Sequence, residues 1–338
     1  MSVQPSPDDS LRMTQLLFGF TTSQALYVTA RLGVADALLD GPRGIEDLSD
    51  MTGADPDALY RVIRTLAQLG VFQTEADGKI AITPLGATLA PKVPGSVHGI
   101  SRYLMETHYQ PFGELLHTAR TGETAADYLY GMNFFDWIVP QPELLAVQNA
   151  AMASVSEGWR GPFLSSYQLP PGRVVADIGA ADGSMLARLI AQAPGLRGIV
   201  FDLPAVIPAA EQVLAHYGVD DRVSIRAGSF FEEVPAADVY LMSMVLHDWD
   251  DASSVRILQT IADAALPGAR LVVIECVVPP GDGPHFSKAT DLIMLAMSGG
   301  KERTVAEYTD LLTAGGFSVD AIKETVTPFS AVEATVRK

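Results

Sequence analysis

An α/β fold preceded by a separate helical domain is what this sequence predicts, on three observations. Beyond Leu169-Pro170-Pro171-Gly172, short β-rich runs alternate with helical stretches, the pattern of a parallel sheet covered by helices on both faces. The first of those runs ends in a glycine-containing turn that opens a helix, Asp177-Ile178-Gly179-Ala180-Ala181-Asp182-Gly183-Ser184. Ahead of Leu169 the apolar residues fall at helical spacing, and at about 150 residues per domain a chain of 338 residues holds about two domains.

Met1 to Asp9 has neither the basic patch nor the apolar run of a signal peptide and is expected to be a frayed tail. From Leu11 to Leu39, residues Leu16, Leu17, Phe20, Leu26, Ala30 and Val34 follow a helical period. Gly44 to Gly53 then reads as a short helix and turn. Asp55-Pro56 caps a second helix with Leu59, Val62, Ile63, Leu66 and Leu69 on one face, and Gly70 stops it. Val71–Thr74 and Lys79–Thr83, joined through Asp77-Gly78, make a hairpin, which completes a winged helix. A DNA-reading helix would need a basic face, and Pro56 to Leu69 offers only Arg61 and Arg64 beside Asp55 and Asp57. A packing and dimerisation module fits better, since the apolar face from Leu16 to Val34 lacks an obvious partner in so small a domain.

Residues 84–170 are helical, broken at Pro91, Pro94, Pro111, Gly122, Pro140, Pro142 and Gly161-Pro162. The aromatic run from Tyr128 to Trp137 suits core packing and equally a pocket for a flat aromatic ligand; Phe134 is its candidate substrate contact. In the second half, strands are expected near 174–178, 198–201, 223–227, 237–242 and 270–276. Phe317–Lys323 and Phe329–Val336, with no helix between them, form an antiparallel hairpin at one end of the sheet. The resulting division is 1–95, 96–168 and 169–338.

Composition narrows the function classes. Lys and Arg number 23 against 40 Asp and Glu, a net charge of −17, so nucleic acid and anionic membranes are unsuitable partners. The most apolar segment, Ala237 to Leu246, stops at His247-Asp248, far short of the about 18 residues a membrane helix needs. A single cysteine, Cys276, forms no internal disulfide, and the histidines show no zinc-ligand spacing. The expectation is a globular, cytoplasmic, metal-free protein.

The glycine turn lets backbone approach a ligand closely, but a dinucleotide fingerprint wants glycine where Ala181 stands, which disfavours a pyrophosphate. Alanine is acceptable there if its φ stays negative. Asp202, in Phe201-Asp202-Leu203-Pro204 at the end of the second strand, can accept both ribose hydroxyls of a nucleoside or cap the helix that follows. Gly228-Ser229-Phe230-Phe231 flanks an adenine in the same frame. His247 lies past the fourth strand, at the edge where open α/β sheets bind ligands, and is either a general base or a capping residue. An unperturbed imidazole pKa of about 6.5 would suit a base. Glu275 ends the adjacent strand, where it could orient the imidazole. Asp248, Asp250 and Asp251 have no second carboxylate group at ligand spacing, which argues against a metal.

These segments, with Leu246-His247-Asp248-Trp249-Asp250-Asp251 and Gly299-Gly300-Lys301-Glu302-Arg303-Thr304, occur in the order of a known family. The chain resembles the S-adenosylmethionine-dependent small-molecule O-methyltransferases, which include plant caffeic acid, acetylserotonin and bacterial antibiotic-tailoring enzymes. The resemblance implies a Rossmann-like class I methyltransferase sheet, an N-terminal winged-helix dimerisation domain, a homodimer, and methyl transfer to a hydroxyl of a small aromatic substrate. It makes 96–168 a linker and substrate-pocket segment and 169–338 the cofactor-binding catalytic domain. It assigns S-adenosyl-L-methionine to Asp177, Gly179, Gly183, Asp202, Leu203, Ser229, Phe230, Ser243 and Trp249. It makes His247 the general base framed by Glu275 and Glu302, and places Met152, Met294 and Asp248 beside the substrate. Ala180, Ala181 and Ser229 depart from the family's usual glycines and aspartate. A rival within the same fold is a relative that hydroxylates or decarboxylates an aromatic polyketide.

Overall fold

A computed structural model describes residues 4–155, 158, 161–204 and 206–338. Two compact units emerge, one of residues 1–113 with 135–158, the other of 114–134 with 159–338. The segment 96–168 is thus shared between them.

In the first unit, Pro7–Leu17 (α1) starts earlier than the expected tail allows, because Ser6 and Asp9 form a capping box; residues 1–3 lie outside the described residues. Gly19–Arg31 (α2) and Val34–Leu38 (α3) follow, then Ile45–Thr52 (α4), ended by Gly53. Asp55 caps Pro56–Ala67 (α5) by accepting the N–H of Ala58 at 2.9 Å. Phe72–Thr74 (β1) and Ile80–Ile82 (β2) pair antiparallel. This is the expected helix, turn, helix and hairpin. Leu59, Ile63 and Leu66 of α5 are buried against Val34, Leu38 and Phe72, each such side chain contributing about 1.5–3 kcal/mol. The apolar face from Leu16 to Val34 is split. Ala30 and Val34 belong to the unit's own core, whereas Leu16, Leu17 and Phe20 are exposed.

The second unit holds a seven-stranded sheet. Its strands are Val174–Ile178 (β3), Arg197–Asp202 (β4), Val223–Ala227 (β5), Val239–Ser243 (β6), Arg270–Glu275 (β7), Phe317–Glu324 (β8) and Ser330–Val336 (β9). Their spatial order is β5-β4-β3-β6-β7-β9-β8. The pairs from β5 to β7 are parallel, and β9 turns back against β7 with β8 outside it, as the hairpin predicted. The strands β3, β6 and β7 are almost wholly buried, so they read as continuous apolar runs rather than alternating ones. The chain leaves β3 toward β4 and β5 and returns to its other side with β6. The reversal opens a crevice at the carboxyl ends of β3 and β6. No helix among the described residues is long and apolar enough to cross a membrane.

Candidate active site

The segments expected to hold the cofactor lie at the carboxyl ends of β3, β4, β5 and β6. After β3, Gly179 and Gly183 adopt φ of 73° and 72°, and a Cβ on Gly179 would press into Val245. Ala181 also lies in the left-handed region, at φ 51°, contrary to the negative φ expected of it. An L-residue there costs about 1–2 kcal/mol. Asp202 explains how the turn tolerates it. One carboxylate oxygen accepts the N–H of Ala181 at 2.7 Å, the other that of Leu203 at 2.7 Å. The carboxylate is therefore a brace across the glycine turn rather than the cap of a following helix. Each carboxylate oxygen keeps a further lone pair beyond these two hydrogen bonds. Burial raises its carboxyl pKa, against the lowering effect of those two N–H groups. The only other non-glycine residue with positive φ among the described residues is Met244, at 56°, just past β6. Both strained positions therefore border the same crevice, where such strain concentrates in binding sites.

Ser229 and Phe230 follow β5 and are half-buried; Phe230 and Phe231 pack edge-to-face on Trp249, at centroid distances of 6.0 and 4.9 Å. The loop after β5 and the residue that follows the His247 turn thus share one aromatic cluster. Ser243 is buried at the end of β6, its hydroxyl without a hydrogen-bond partner among the described residues. Asp177 is buried inside β3, and Leu203 is half exposed.

His247 sits in a short turn, Leu246–Asp248, that follows β6. Its imidazole is buried. Nδ1 lies 3.0 Å from Glu302 Oε1 and 3.7 Å from Glu275 Oε2, and Nε2 lies 3.7 Å from Asp248 Oδ1. The orienting carboxylate is therefore Glu302, a correction to the expectation that Glu275 would do it. Glu275 Oε1 instead accepts the main-chain N–H groups of Val245 and Leu246, at 3.1 and 3.0 Å, and so holds the turn itself. Burial disfavours the charged imidazole, but Glu275, Asp248 and Glu302 together outweigh it and push its pKa up to about 10, far from the unperturbed value. Burial likewise raises the carboxyl pKa values of Glu275 and Asp248, each partly offset by the imidazolium. The potential ligand atoms of His247, Glu275 and Glu302 lie within 4.8 Å of one another, compact enough for a metal ion. Spacing rules overlook this group because the three side chains come from separate elements.

Of the candidate substrate residues, Asp248 and Met294 lie in the second unit, half-buried, with Met294 on the helix Phe286–Met297. Phe134 is buried there too, at 3% exposure, and Met152 belongs to a helix of the first unit. Three residues of the site were missed by sequence reasoning. Asp291 accepts the N–H of Glu302 at 3.0 Å, Gly300 packs on the main chain of His247 and Asp248, and Arg303 is fully buried beside them. The Gly300-Lys301-Glu302-Arg303 string was a visible signal, but only its carboxylate looked chemical.

Comparison with known proteins matches this geometry. An O-methyltransferase domain profile covers residues 112–318, and an O-methyltransferase dimerisation domain profile covers 14–92. The chain is 39% identical to the phenazine O-methyltransferase PhzM of Lysobacter antibioticus, over 95% of both chains. It is 36% identical to the mitomycin biosynthesis 6-O-methyltransferase of Streptomyces lavendulae, over 91% of this chain and 89% of that one. Among solved structures, the O-methyltransferase NcsB1 from neocarzinostatin biosynthesis, in complex with S-adenosylmethionine and 2-hydroxy-5-methyl naphthoic acid, superposes with a TM-score of 0.80. Its identity is 32%, covering 94% of this chain and 96% of that one. With the sheet, the glycine turn and the His247 cluster in the same chain as both profiles, this protein belongs to the S-adenosylmethionine-dependent O-methyltransferase family, dimerisation domain included.

Proposed function

We propose that this enzyme methylates a hydroxyl, phenolic or carboxylic, of a small aromatic natural product, with His247 accepting the hydroxyl proton. One observation carries the reading: the buried imidazole is fixed at Nδ1 by Glu302, which leaves Nε2 as the proton-accepting atom. Bound S-adenosylmethionine supplies a methyl group on a sulfonium, an excellent leaving group. The residues present fit it. Gly179 and Gly183 supply the left-handed backbone that the turn needs where a Cβ would strike Val245 and Val200, Asp202 has lone pairs for ribose hydroxyls, and the buried Ser243 hydroxyl is unpaired among the described residues. The protein's part is then to align the acceptor oxygen and remove its proton. Glu302 accepts a hydrogen bond from Nδ1–H and so stabilises the imidazolium as Nε2 gains a proton, while Glu275 fixes the main chain beneath the ring. Met294, Phe134 and Asp248 are proposed to line the acceptor site within the second unit. In this reading 1–95 dimerises, 96–168 links and shapes the substrate pocket, and 169–338 carries the cofactor and the chemistry.

Relatives name the first acceptors to try. Incubating the enzyme and methyl-labelled S-adenosylmethionine with 3-amino-4-hydroxybenzoate, 2,7-dihydroxy-5-methyl-1-naphthoate and a hydroxyphenazine should give a mass gain of one labelled methyl in at least one. Cofactor-dependent conversion without methyl gain, as hydroxylation or decarboxylation, would overturn the assignment.

The homodimer is proposed to form through the exposed apolar side chains Leu11, Met13, Leu16, Leu17, Phe18 and Phe20. The expected interface exceeds about 2,000 Å². Light scattering should report twice the 36.0 kDa chain mass, and Leu16→Asp with Phe20→Asp should return a monomer. A wild-type monomer at micromolar concentration would contradict the proposal. The net charge of −17 supports partners other than nucleic acid, and the single, buried Cys276 suits a reducing, cytoplasmic setting.

A further inference from the structure

His247 and Glu302 are 55 residues apart, on different elements, yet their side chains meet at 3.0 Å. Something must hold the two segments in register. Glu302 is followed directly by Arg303, whose side chain is 0% exposed, an expensive place for a charge unless every N–H is used. Its Nη1 donates to the carbonyl of Leu246 at 2.8 Å, and Nη2 to the carbonyl of Trp249 at 2.8 Å. These are the main-chain oxygens on either side of the turn that carries His247. Nε and Nη2 also donate to Asp251 Oδ1, at 3.0 and 2.9 Å, and Nη2 reaches Ser254 Oγ at 3.3 Å. Lys301 holds the second oxygen of Asp251 at 3.1 Å. On the same segment, a Cβ on Gly300 would collide with the carbonyl oxygen of His247 and the backbone of Asp248. Consecutive side chains thus grip the base twice, Glu302 by its ring and Arg303 by its backbone.

We propose that Arg303 is a positioning residue for methyl transfer: its guanidinium fork locks the Leu246–Trp249 turn against the Gly300–Arg303 segment and thereby sets how the His247 imidazole meets Glu302. A fork is needed because the guanidinium donates to two carbonyls and a carboxylate at once, and an ammonium cannot satisfy all three at fixed angles. The proposal rests on His247 being the base, but it concerns the ring's placement, which is measurable without turnover.

Arg303→Lys keeps the charge and removes the fork. In the variant, at a temperature where circular dichroism shows it folded, kcat toward the best acceptor of the panel should fall by about 10- to 100-fold, the cost of a small misalignment. KM for S-adenosylmethionine should stay within about twofold, because Arg303 reaches the candidate cofactor residues only at the main-chain carbonyl of Trp249 and touches none of Gly179, Asp202 or Ser229. Imidazole NMR of the whole, ligand-free protein should show His247 titrating at lower pH than in the wild type. The loosened Glu302 contact then raises its basicity less, while Glu275 and Asp248 remain. The acid limb of the rate profile should move the same way. A folded Arg303→Lys with wild-type kcat and wild-type titration overturns the proposal. Should that variant not fold, Asp251→Asn, at a side chain 59% exposed, frees the guanidinium with less damage and should shift both readouts in the same directions by less. Unchanged readouts there overturn it equally. A full rate in His247→Ala would instead defeat the base assignment, and the titration of His247 in Arg303→Lys would still report on the strut.

Discussion

His247→Ala is expected to lower kcat by about 10²- to 10⁴-fold with an acceptor phenol of pKa near 10, while leaving S-adenosylhomocysteine affinity nearly unchanged. In the proposed mechanism the loss falls on turnover, because the imidazole would meet the acceptor's proton, while its observed contacts with Glu302, Glu275 and Asp248 include neither Gly179 nor Asp202. Its pH dependence has a definite sign. The clustered carboxylates of Glu275, Asp248 and Glu302 overcome burial and raise the imidazole to about 10, so at neutral pH the ligand-free site favours imidazolium, which cannot accept a proton. Activity must then rise with pH above 7, well beyond an ordinary histidine titration, and kcat/KM for the acceptor reports it. A base of that strength also matches a phenol of pKa about 10, which brings proton transfer close to thermoneutral. Glu302→Gln keeps the shape and removes one raising charge, so the limb should move to lower pH with a smaller loss of rate than His247→Ala. Stopped-flow or steady-state profiles from pH 6 to 10 decide this. Full activity of His247→Ala with the weakly acidic phenol would return His247 to a capping role, whereas a preserved rate with an already ionised acceptor shows only that no base is needed there.

Asp202→Ala should weaken S-adenosylhomocysteine binding by about 1.5–3 kcal/mol, the range for hydrogen bonds to a charged group. The structure adds a second reason for the loss, since the same carboxylate holds the N–H of Ala181 and so braces a turn already strained by a left-handed alanine. Ala181→Gly tests that part separately. It removes the Cβ that opposes φ 51°, and should raise stability by up to about 1 kcal/mol without weakening the cofactor. Titration calorimetry and thermal melts measure the two effects. An Asp202→Ala protein with unchanged affinity would leave Asp202 as a brace only, and a destabilised Ala181→Gly would mean the turn draws its strength from elsewhere.

Much of the molecule was legible in the order of its residues. Strand and helix alternation after Gly172, the cap at Asp55-Pro56, and the terminal hairpin follow from local periodicity, which each segment carries in itself. The early start of α1 was not seen, because Pro5, Pro7 and two aspartates look like a tail unless Ser6 and Asp9 are recognised as a capping box. The apolar residues from Leu16 to Val34 had the right period but no label for which of them the domain's own core would claim. Helical spacing marks a face, and only packing decides its owner.

In the site the same boundary appears. Residue types and motif order pointed to His247, Glu275, Glu302 and Asp202, because each motif lies on one continuous stretch whose chemistry can be read locally. Which carboxylate meets the imidazole was decided by distances of 3.0 and 3.7 Å between elements brought together by the order β6-β7 and the loop at Gly300, and no spacing along the chain encodes such a distance. The strength of the base was likewise invisible, since it depends on three carboxylates converging in a buried space where charges interact strongly. The roles of Asp202 as a brace and Arg303 as a strut also belong to the tertiary structure, because both act on main-chain groups of distant segments. The sequence by itself determined the fold, the family and the candidate site residues; the packed chain alone decided how those side chains face one another, because their interaction energies depend on separation and burial rather than on order.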